Sequence, residues 1–118
     1  MLNNVLLIGR LTHDPELKNL EDGKKVLDFQ LAVQRAFKNV DGIYETDFIN
    51  ITLWQTQAEM LSRYCQKGAL LAVRGRLQTR HVLYDDKDYH TLELIGERVT
   101  FLSSGKKDAT MSDEEPEY

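Results

Sequence analysis

Apolar and polar residues alternate with a period of two along most of this chain. Such alternation is typical of strands that bury one face of a sheet. Turn signals rich in Asp, Gly and Pro interrupt it, including His13-Asp14-Pro15, Asp41-Gly42 and Asp85-Asp86-Lys87-Asp88. The pattern predicts five strands, at residues 4–11, 25–37, 46–54, 69–84 and 89–102.

One segment, residues 56–67, has helical periodicity instead. Its apolar positions share one helical face: Ala58, Leu61 and Cys65. Thr56 and Glu59 have the spacing of a capping box, which predicts the start of the helix. Gly68 can adopt the left-handed conformation that ends a helix.

This order of elements predicts an all-β fold with one helix. A helix between strands three and four of five is the arrangement of the OB-fold barrel. A five-stranded sandwich is the alternative, but a single helix at this place favours the barrel. We expect one domain at residues 1–103 and a short, disordered acidic tail at residues 104–118, which have little to bury.

The third predicted strand carries two aromatic residues on its polar face. Alternation directs Ile49, Ile51 and Leu53 to the core, so Phe48 and Trp54 point outward. Stacked nucleobases would cover these rings and contribute about 1–3 kcal/mol per base, whatever the sequence. The alternative is that a second subunit or the helix covers this face.

The fourth predicted strand places arginines on one face and mostly apolar residues on the other. The first face carries Arg74, Arg76, Arg80, Val82 and Tyr84, and the second carries Leu71, Val73, Leu77 and Thr79. Several guanidinium groups beside an aromatic ring are typical of a phosphate-binding track. The alternative is a solvated face that acids such as Glu93 or Glu97 neutralise. Arg35 and Phe37, near the Asp41-Gly42 turn, add a further cation and ring.

The charge is divided unevenly along the chain. All 15 Lys and Arg lie in residues 1–107 with 14 of the 19 Asp and Glu, which gives this part a charge of +1. Residues 108–118 carry the other five acids and no base, which accounts for the net charge of -4. Such a division predicts a domain followed by an interaction tail, and it leaves nucleic acid open as a partner.

Several classes of protein are disfavoured. A single cysteine, Cys65, predicts no internal disulfide and fits a cytoplasmic, nucleoid-associated location, and no apolar run is long enough to predict a membrane span. His13, His81 and His90 show no metal-ligand spacing. There is no glycine-rich phosphate loop or nucleophile motif. We therefore expect no catalysis, no cofactor and no metal site.

Short motifs recur in a specific order. They are MLNNVLLIGRL at residues 1–11, DPEL at 14–17, LAV at 31–33, DFIN at 47–50, QAE at 57–59, QKG at 66–68 and GRLQTR at 75–80. In this order and spacing they resemble the bacterial and phage single-stranded DNA-binding protein (SSB) family over about residues 1–103.

The resemblance implies an OB-fold homotetramer that binds and protects single-stranded DNA in replication, recombination or repair. The family's stacking aromatics fall at Phe37, Phe48 and Trp54. A further aromatic after the GRLQTR motif is missing, and Tyr84 is expected to replace it. The DNA-binding residues expected on both grounds are Arg10, Arg35, Phe37, Phe48, Trp54, Arg74, Arg76, Arg80 and Tyr84.

The end of the chain departs from the family pattern. Family members commonly end in acids, an aliphatic residue, Pro and Phe, which bind replication and repair proteins. Here the acids and a terminal aromatic remain, while Glu117 stands between Pro116 and the last residue. The resemblance implies partner binding through Asp113, Glu114, Glu115, Pro116 and Tyr118. The alternative function is an OB-fold replication adaptor whose aromatic and arginine face binds mainly a protein.

Overall fold

The computed structural model describes residues 1–103. Its elements are β1 (Val5–Leu11), β2 (Lys18–Asn19), β3 (Lys25–Lys38), β4 (Tyr44–Trp54), α1 (Gln55–Tyr64), β5 (Leu70–Tyr84) and β6 (Lys87–Ser103). The five predicted strands are confirmed, and β2 is a short addition that pairs with the start of β3. The acidic tail and its predicted partner-binding residues lie outside the described part of the chain.

Five long strands form a closed barrel, the OB-fold predicted from the sequence. The hydrogen-bonded order is β1-β5-β6-β4-β3-β2, and pairing of β1 with β3 closes the barrel. All pairs are antiparallel except that of β4 with β6, in which Ile51 lies opposite Leu94 and Thr52 opposite Ile95. Closure requires the strands to tilt and bend, because a flat sheet cannot return to its first strand.

The barrel interior and one face of α1 form the core. Its fully buried side chains are mainly aliphatic, since these fill the space between strands without leaving a polar atom unpaired: Leu11, Leu27, Leu31, Ile51, Leu53, Leu61, Leu71 and Val73. Ala58, Leu61 and Cys65 of the helical segment are all buried, as their spacing predicts. The core therefore anchors α1 against the end of the barrel.

Two glycines allow strands to approach each other closely where the barrel bends. A Cβ atom at Gly9 would lie 2.4 Å from the carbonyl oxygen of Ala32, and one at Gly75 would lie 2.2 Å from that of Ile95. Neither contact is sterically allowed, so a larger residue would push the strands apart. Close approach of one backbone to another is a common reason for glycine within a strand.

The predicted ends of the helix are wrong. The helix begins at Gln55, directly after β4, with Trp54 as N-cap and no side-chain cap. The capping box does not form, and Glu59 instead pairs with Lys25 of β3. No helix in residues 1–103 has the length and apolar character needed to cross a membrane.

At its other end the helix stops at Tyr64, three residues earlier than predicted. Contacts to the first part of the chain account for this. The backbone N–H of Lys67 donates to Asp14 Oδ1 at 2.8 Å, and that of Gly68 donates to the Leu11 carbonyl at 2.8 Å. Gly68 has the expected positive φ of 92°, but in the turn that leads to β5.

Candidate nucleic-acid interface

The outer surface of β3 and β4 carries the two predicted rings. Residues that pair across antiparallel strands point to the same face, so the register identifies this surface. Phe48 is opposite Ala32 and Trp54 is opposite Val26, while Leu53 and Ile51 face the core. Phe48 is 61% exposed and Trp54 is 40% exposed. The predicted outward orientation of both rings is confirmed.

Polar side chains separate the two rings. Thr52 Oγ1 donates to Asp28 Oδ1 at 2.6 Å, and Gln30 Nε2 donates to Asn50 Oδ1 at 3.4 Å. Three of these residues, Asp28, Gln30 and Asn50, line a groove of about 660 Å³ that extends to His13. Amide groups can donate to and accept from the edges of nucleobases. The Asp28 carboxylate repels phosphate, so this groove suits bases better than the backbone of a nucleic acid.

The distance between the rings determines how many bases they can contact. Phe48 and Trp54 are both in β4, six residues apart in the sequence. An extended strand rises about 3.3 Å per residue, so their Cα atoms are roughly 20 Å apart. This is too far for the rings to hold one base between them. Each ring can therefore stack on a different base of an extended strand.

Arg10 flanks the aromatic surface on one side. The cross-strand register places it opposite Ala32, which is itself opposite Phe48. Two strand spacings correspond to about 10 Å. Arg10 Nη1 donates to the carbonyl oxygen of Gly68 at 2.9 Å, which fixes the side chain and leaves its other N–H groups available.

Arg76 flanks the same surface on the other side. It lies opposite Ile95, which is opposite Thr52 in the middle of the aromatic surface. Arg76 Nε is 3.5 Å from Glu97 Oε2. The register therefore places cations on both sides of the two rings, at separations that a nucleic-acid backbone can span.

Acids neutralise part of this positive charge, as the alternative interpretation of β5 predicted. Arg80 Nη2 is 2.9 Å from Glu93 Oε2. The hydrogen bond that Gln78 donates to Glu93 lowers the pKa of the Glu93 carboxyl group, and Arg80 lowers it further. Exposed ion pairs of this kind contribute less than about 1 kcal/mol, so phosphate groups can compete for the arginines.

Arg74 has a different environment. It lies directly opposite Arg98 of β6, and neither makes an ion pair within residues 1–103. Like charges opposite each other on a sheet repel, and a bound anion removes that repulsion. Arg98 was missed from the sequence because the pairing depends on a register shift between Arg74 and Gly75.

Arg35 is not part of this surface. It is on the face of β3 opposite to Ala32 and Phe48, and its guanidinium makes a two-pronged contact with Asp47, with Nε–Oδ2 and Nη2–Oδ1 distances of 3.0 Å. Glu45 binds the same group. The hydrogen bonds that Arg35 donates to Asp47 raise the pKa of Arg35 and lower the pKa of Asp47. One cation with two acids adds no positive charge here.

Two hairpin arms extend the set of exposed rings. Phe37 is 67% exposed near the β3–β4 turn, and Tyr84 is 71% exposed near the β5–β6 turn. Tyr84 shares the face of Arg80 by alternation along β5. Tyr89, opposite Val82, also lies on this face and was not predicted. A two-residue turn at Asp85-Asp86, where both residues have positive φ, sets this register.

These features define a class of protein. A closed OB-fold barrel with exposed rings along one surface and arginines at its borders is typical of proteins that bind single-stranded nucleic acid. The sequence profile of the single-strand binding protein family matches residues 2–102. The chain belongs to this family.

Individual relatives support this assignment. The chain is 43% identical over 109 residues to single-stranded DNA-binding protein 1 of Lactococcus lactis, covering 90% of this chain and 71% of the relative. It is 48% identical over 103 residues to the single-stranded DNA-binding protein of Bacillus cereus, covering 86% of this chain and 61% of the relative.

Solved structures agree with the fold. A complex of Plasmodium falciparum SSB with single-stranded DNA superimposes with a TM-score of 0.74 at 30% identity, covering 87% of this chain and 96% of that chain. A variant of the single-stranded DNA-binding protein from Thermus aquaticus superimposes with a TM-score of 0.74 at 32% identity. The superposition covers 88% of this chain and 52% of the Thermus chain, so this chain spans about half the length of that protein.

Proposed function

We propose that this chain binds single-stranded DNA without sequence preference and without altering it. The observation that carries the proposal is the exposure of Phe48 and Trp54 on a polar surface of β4. Exposed rings of this size gain free energy when a base covers them, and every base has a face that can stack. Family membership supports single-stranded DNA as the ligand.

Arginines supply the second contribution to the free energy of DNA binding. We assign phosphate contacts to Arg10, Arg74, Arg76 and Arg80, and we add Arg98 to this group. Phosphate contacts carry no sequence information, and neither does stacking on Phe48 and Trp54. We assign further stacking to Phe37 and Tyr84 on the hairpin arms. Arg35 can contribute a phosphate contact only if it leaves Asp47, so its role is the weakest in the proposed set.

One titration tests the proposal. Trp54 is the single tryptophan of the chain, so its fluorescence reports on this site alone. We expect oligo(dT) of increasing length to quench it and to give the site size and stoichiometry. The logarithm of the affinity should fall by about 0.7 per released counterion for each tenfold increase in salt. Unchanged fluorescence at saturating oligo(dT) and low salt would contradict stacking on Trp54.

We propose that the protein assembles as a homotetramer through β1. Leu6 is 68% exposed and Ile8 is 56% exposed on the outer face of this strand. Residues 5–9 of β1 pair with β5 on one side only, which leaves a free backbone edge on the other within the described residues. A second copy can pair with this edge and cover the apolar face, and such a contact is self-complementary.

The adaptor function is the second candidate. The ion pairs of Arg35, Arg76 and Arg80 favour it, since they reduce the charge available to phosphate. An adaptor would bind oligo(dT) weakly and with little salt dependence, and its affinity would rise on addition of a protein partner. Strong, salt-dependent binding by the purified chain distinguishes the two.

We infer that the protein protects single-stranded DNA in replication, recombination or repair, in the cytoplasm and near the nucleoid. Binding of replication or repair proteins is assigned to Asp113, Glu114, Glu115, Pro116 and Tyr118. A pull-down with the full chain, compared with a variant that ends at Ser103, tests this assignment.

A further inference from the structure

Two histidines lie side by side near the end of the β5–β6 hairpin. His81 of β5 is directly opposite His90 of β6, and the centroids of their rings are 3.9 Å apart. Residues opposite each other in an antiparallel pair have Cβ atoms about 4.5–5.5 Å apart. Both side chains are more than half exposed, so solvent ions can reach them. This surface is separate from the proposed stacking site, since it is on the face of β5 opposite to Arg80.

Asp88 completes a group of three. It is two residues before His90 in β6, so alternation places it on the same face as both histidines. Asp88 Oδ1 is 3.4 Å from His81 Nδ1, and Oδ2 is 3.9 Å from His90 Nε2. Potential ligand atoms from all three residues lie within 4.8 Å of one another. Carboxylate oxygen and imidazole nitrogen are both ligands of first-row transition metals.

The separations fit one small cation. Zinc binds nitrogen and carboxylate oxygen at about 2.0–2.2 Å, so neighbouring ligand atoms of a tetrahedral site are about 3.3–3.6 Å apart. The 3.4 Å separation between Asp88 Oδ1 and His81 Nδ1 already has this value. His90 Nε2 lies 3.9 Å from the other carboxylate oxygen, Oδ2, so the Asp88 or His90 side chain must rotate to place one oxygen and both nitrogens around a single ion. Three protein ligands leave one position for water, and the exposed face provides room for it.

We propose that His81, Asp88 and His90 bind a divalent transition-metal ion of the Zn²⁺ class. The ion joins β5 to β6 three residue pairs before the Tyr84–Lys87 pair that flanks the turn. It thereby restricts the arm that carries Tyr84 and Tyr89. It also adds two positive charges where Asp88 alone contributes a negative charge.

Calorimetric titration of the full chain with ZnCl₂, after removal of bound metal by a chelator, tests the site. We expect one Zn²⁺ per chain with an affinity that His81→Ala and His90→Ala each reduce at least tenfold. His13→Ala and Asp86→Asn are the matched controls, since His13 is in the loop after β1 and Asp86 is in the adjacent turn. Both controls should bind as the unchanged chain does.

Two results would overturn the proposal. One is Zn²⁺ binding that is equal in the unchanged chain and in His90→Ala, because the ion would then bind elsewhere, for example at the acidic residues after position 107. The other is no binding at millimolar Zn²⁺. Nuclear magnetic resonance gives an independent measurement, since the ring signals of His81 and His90 should shift with Zn²⁺ while those of His13 should not.

Discussion

At the scale of single residues, the proposed binding site consists of aromatic rings that the fold leaves exposed. Ile51 and Leu53 are completely buried, whereas Phe48 and Trp54 on the same strand are exposed. The choice between these two sets follows from the period of two in a strand. A shift of one residue in the register would bury both rings, so burial of the aliphatic face also determines which face carries the proposed binding site.

Replacement of Phe48 by Ala should weaken single-stranded DNA binding by about 1–3 kcal/mol, which is roughly 5- to 150-fold. The loss should be similar for oligo(dT) and for mixed sequences, because stacking does not depend on the base. Fluorescence titration measures it. Tyr64→Ala is the control, since Tyr64 is an exposed aromatic of α1 that contacts Phe101. An equal loss in this control would contradict the assignment of Phe48.

Replacement of Gly75 by Ala should reduce the free energy of unfolding by about 1–3 kcal/mol. The added Cβ would lie 2.2 Å from the Ile95 carbonyl oxygen, and backbone cannot move as easily as a side chain. Urea denaturation measures the change. Gly23→Ala is the comparison for backbone strain without a clash, because Gly23 has a φ of 85° that disfavours Ala but no atom within 4 Å of the added Cβ. A Gly75 variant as stable as the unchanged chain would show that the strands can separate at no cost.

Residues on a single strand could be predicted, and residues that meet across strands could not. Alternation alone identified Phe48, Trp54 and the arginine face of β5. Arg98 and Tyr89 were missed because their neighbours depend on the exact register of β5 with β6. The pair of His81 and His90 was missed for the same reason. A two-residue turn at Asp85-Asp86 fixes this pairing, but the sequence favoured a longer turn.

At the scale of elements, α1 shows how tertiary contacts determine where a helix begins. The spacing of Thr56 and Glu59 matches a capping box, yet Glu59 pairs with Lys25 across the junction with β3. The backbone N–H of Lys25 also donates to Gln55 Oε1 at 3.2 Å. The local pattern competes with a partner that is distant in the sequence, and the distant partner prevails.

The Lys25–Glu59 pair should make stability depend on pH. The hydrogen bond from Lys25 lowers the pKa of Glu59 from its ordinary value of 4.5. The folded state therefore binds this proton less readily than the unfolded state does. The stability that the Lys25–Glu59 pair contributes is fully present above about pH 5 and is lost as the pH falls through the lowered pKa of Glu59. Urea denaturation at pH 7, 5, 4 and 3 should show this loss.

The variant Glu59→Gln should lose part of this pH dependence, because it has no carboxyl group to titrate. Glu16→Gln is a suitable control, since Glu16 is exposed and makes no ion pair within residues 1–103. The control should keep the full difference between pH 5 and pH 3. A Glu59→Gln variant with an unchanged difference would assign the acid sensitivity to other pairs, such as Arg35–Asp47.

At the scale of the whole molecule, the outer face of β1 should determine assembly. Light scattering of the unchanged chain should give a mass of four chains of 13.6 kDa each. Leu6→Glu places like charges opposite each other in a self-complementary contact, so it should reduce this mass. Val40→Glu is the control, because Val40 is fully exposed at the β3–β4 turn. An unchanged tetramer in Leu6→Glu would exclude this face as the interface.

The parallel pairing of β4 with β6 has a consequence for synthesis of the protein. It joins Ile51 and Thr52 to Leu94 and Ile95, so the cylinder cannot close until translation has passed these last positions. Pairings this far apart in sequence also form slowly, because a long loop must be ordered first. Strands β1 to β4 therefore emerge from the ribosome before β6 can pair with them and help to bury their aliphatic side. We expect the nascent polypeptide to be most prone to aggregation during that interval, because its apolar surface is exposed.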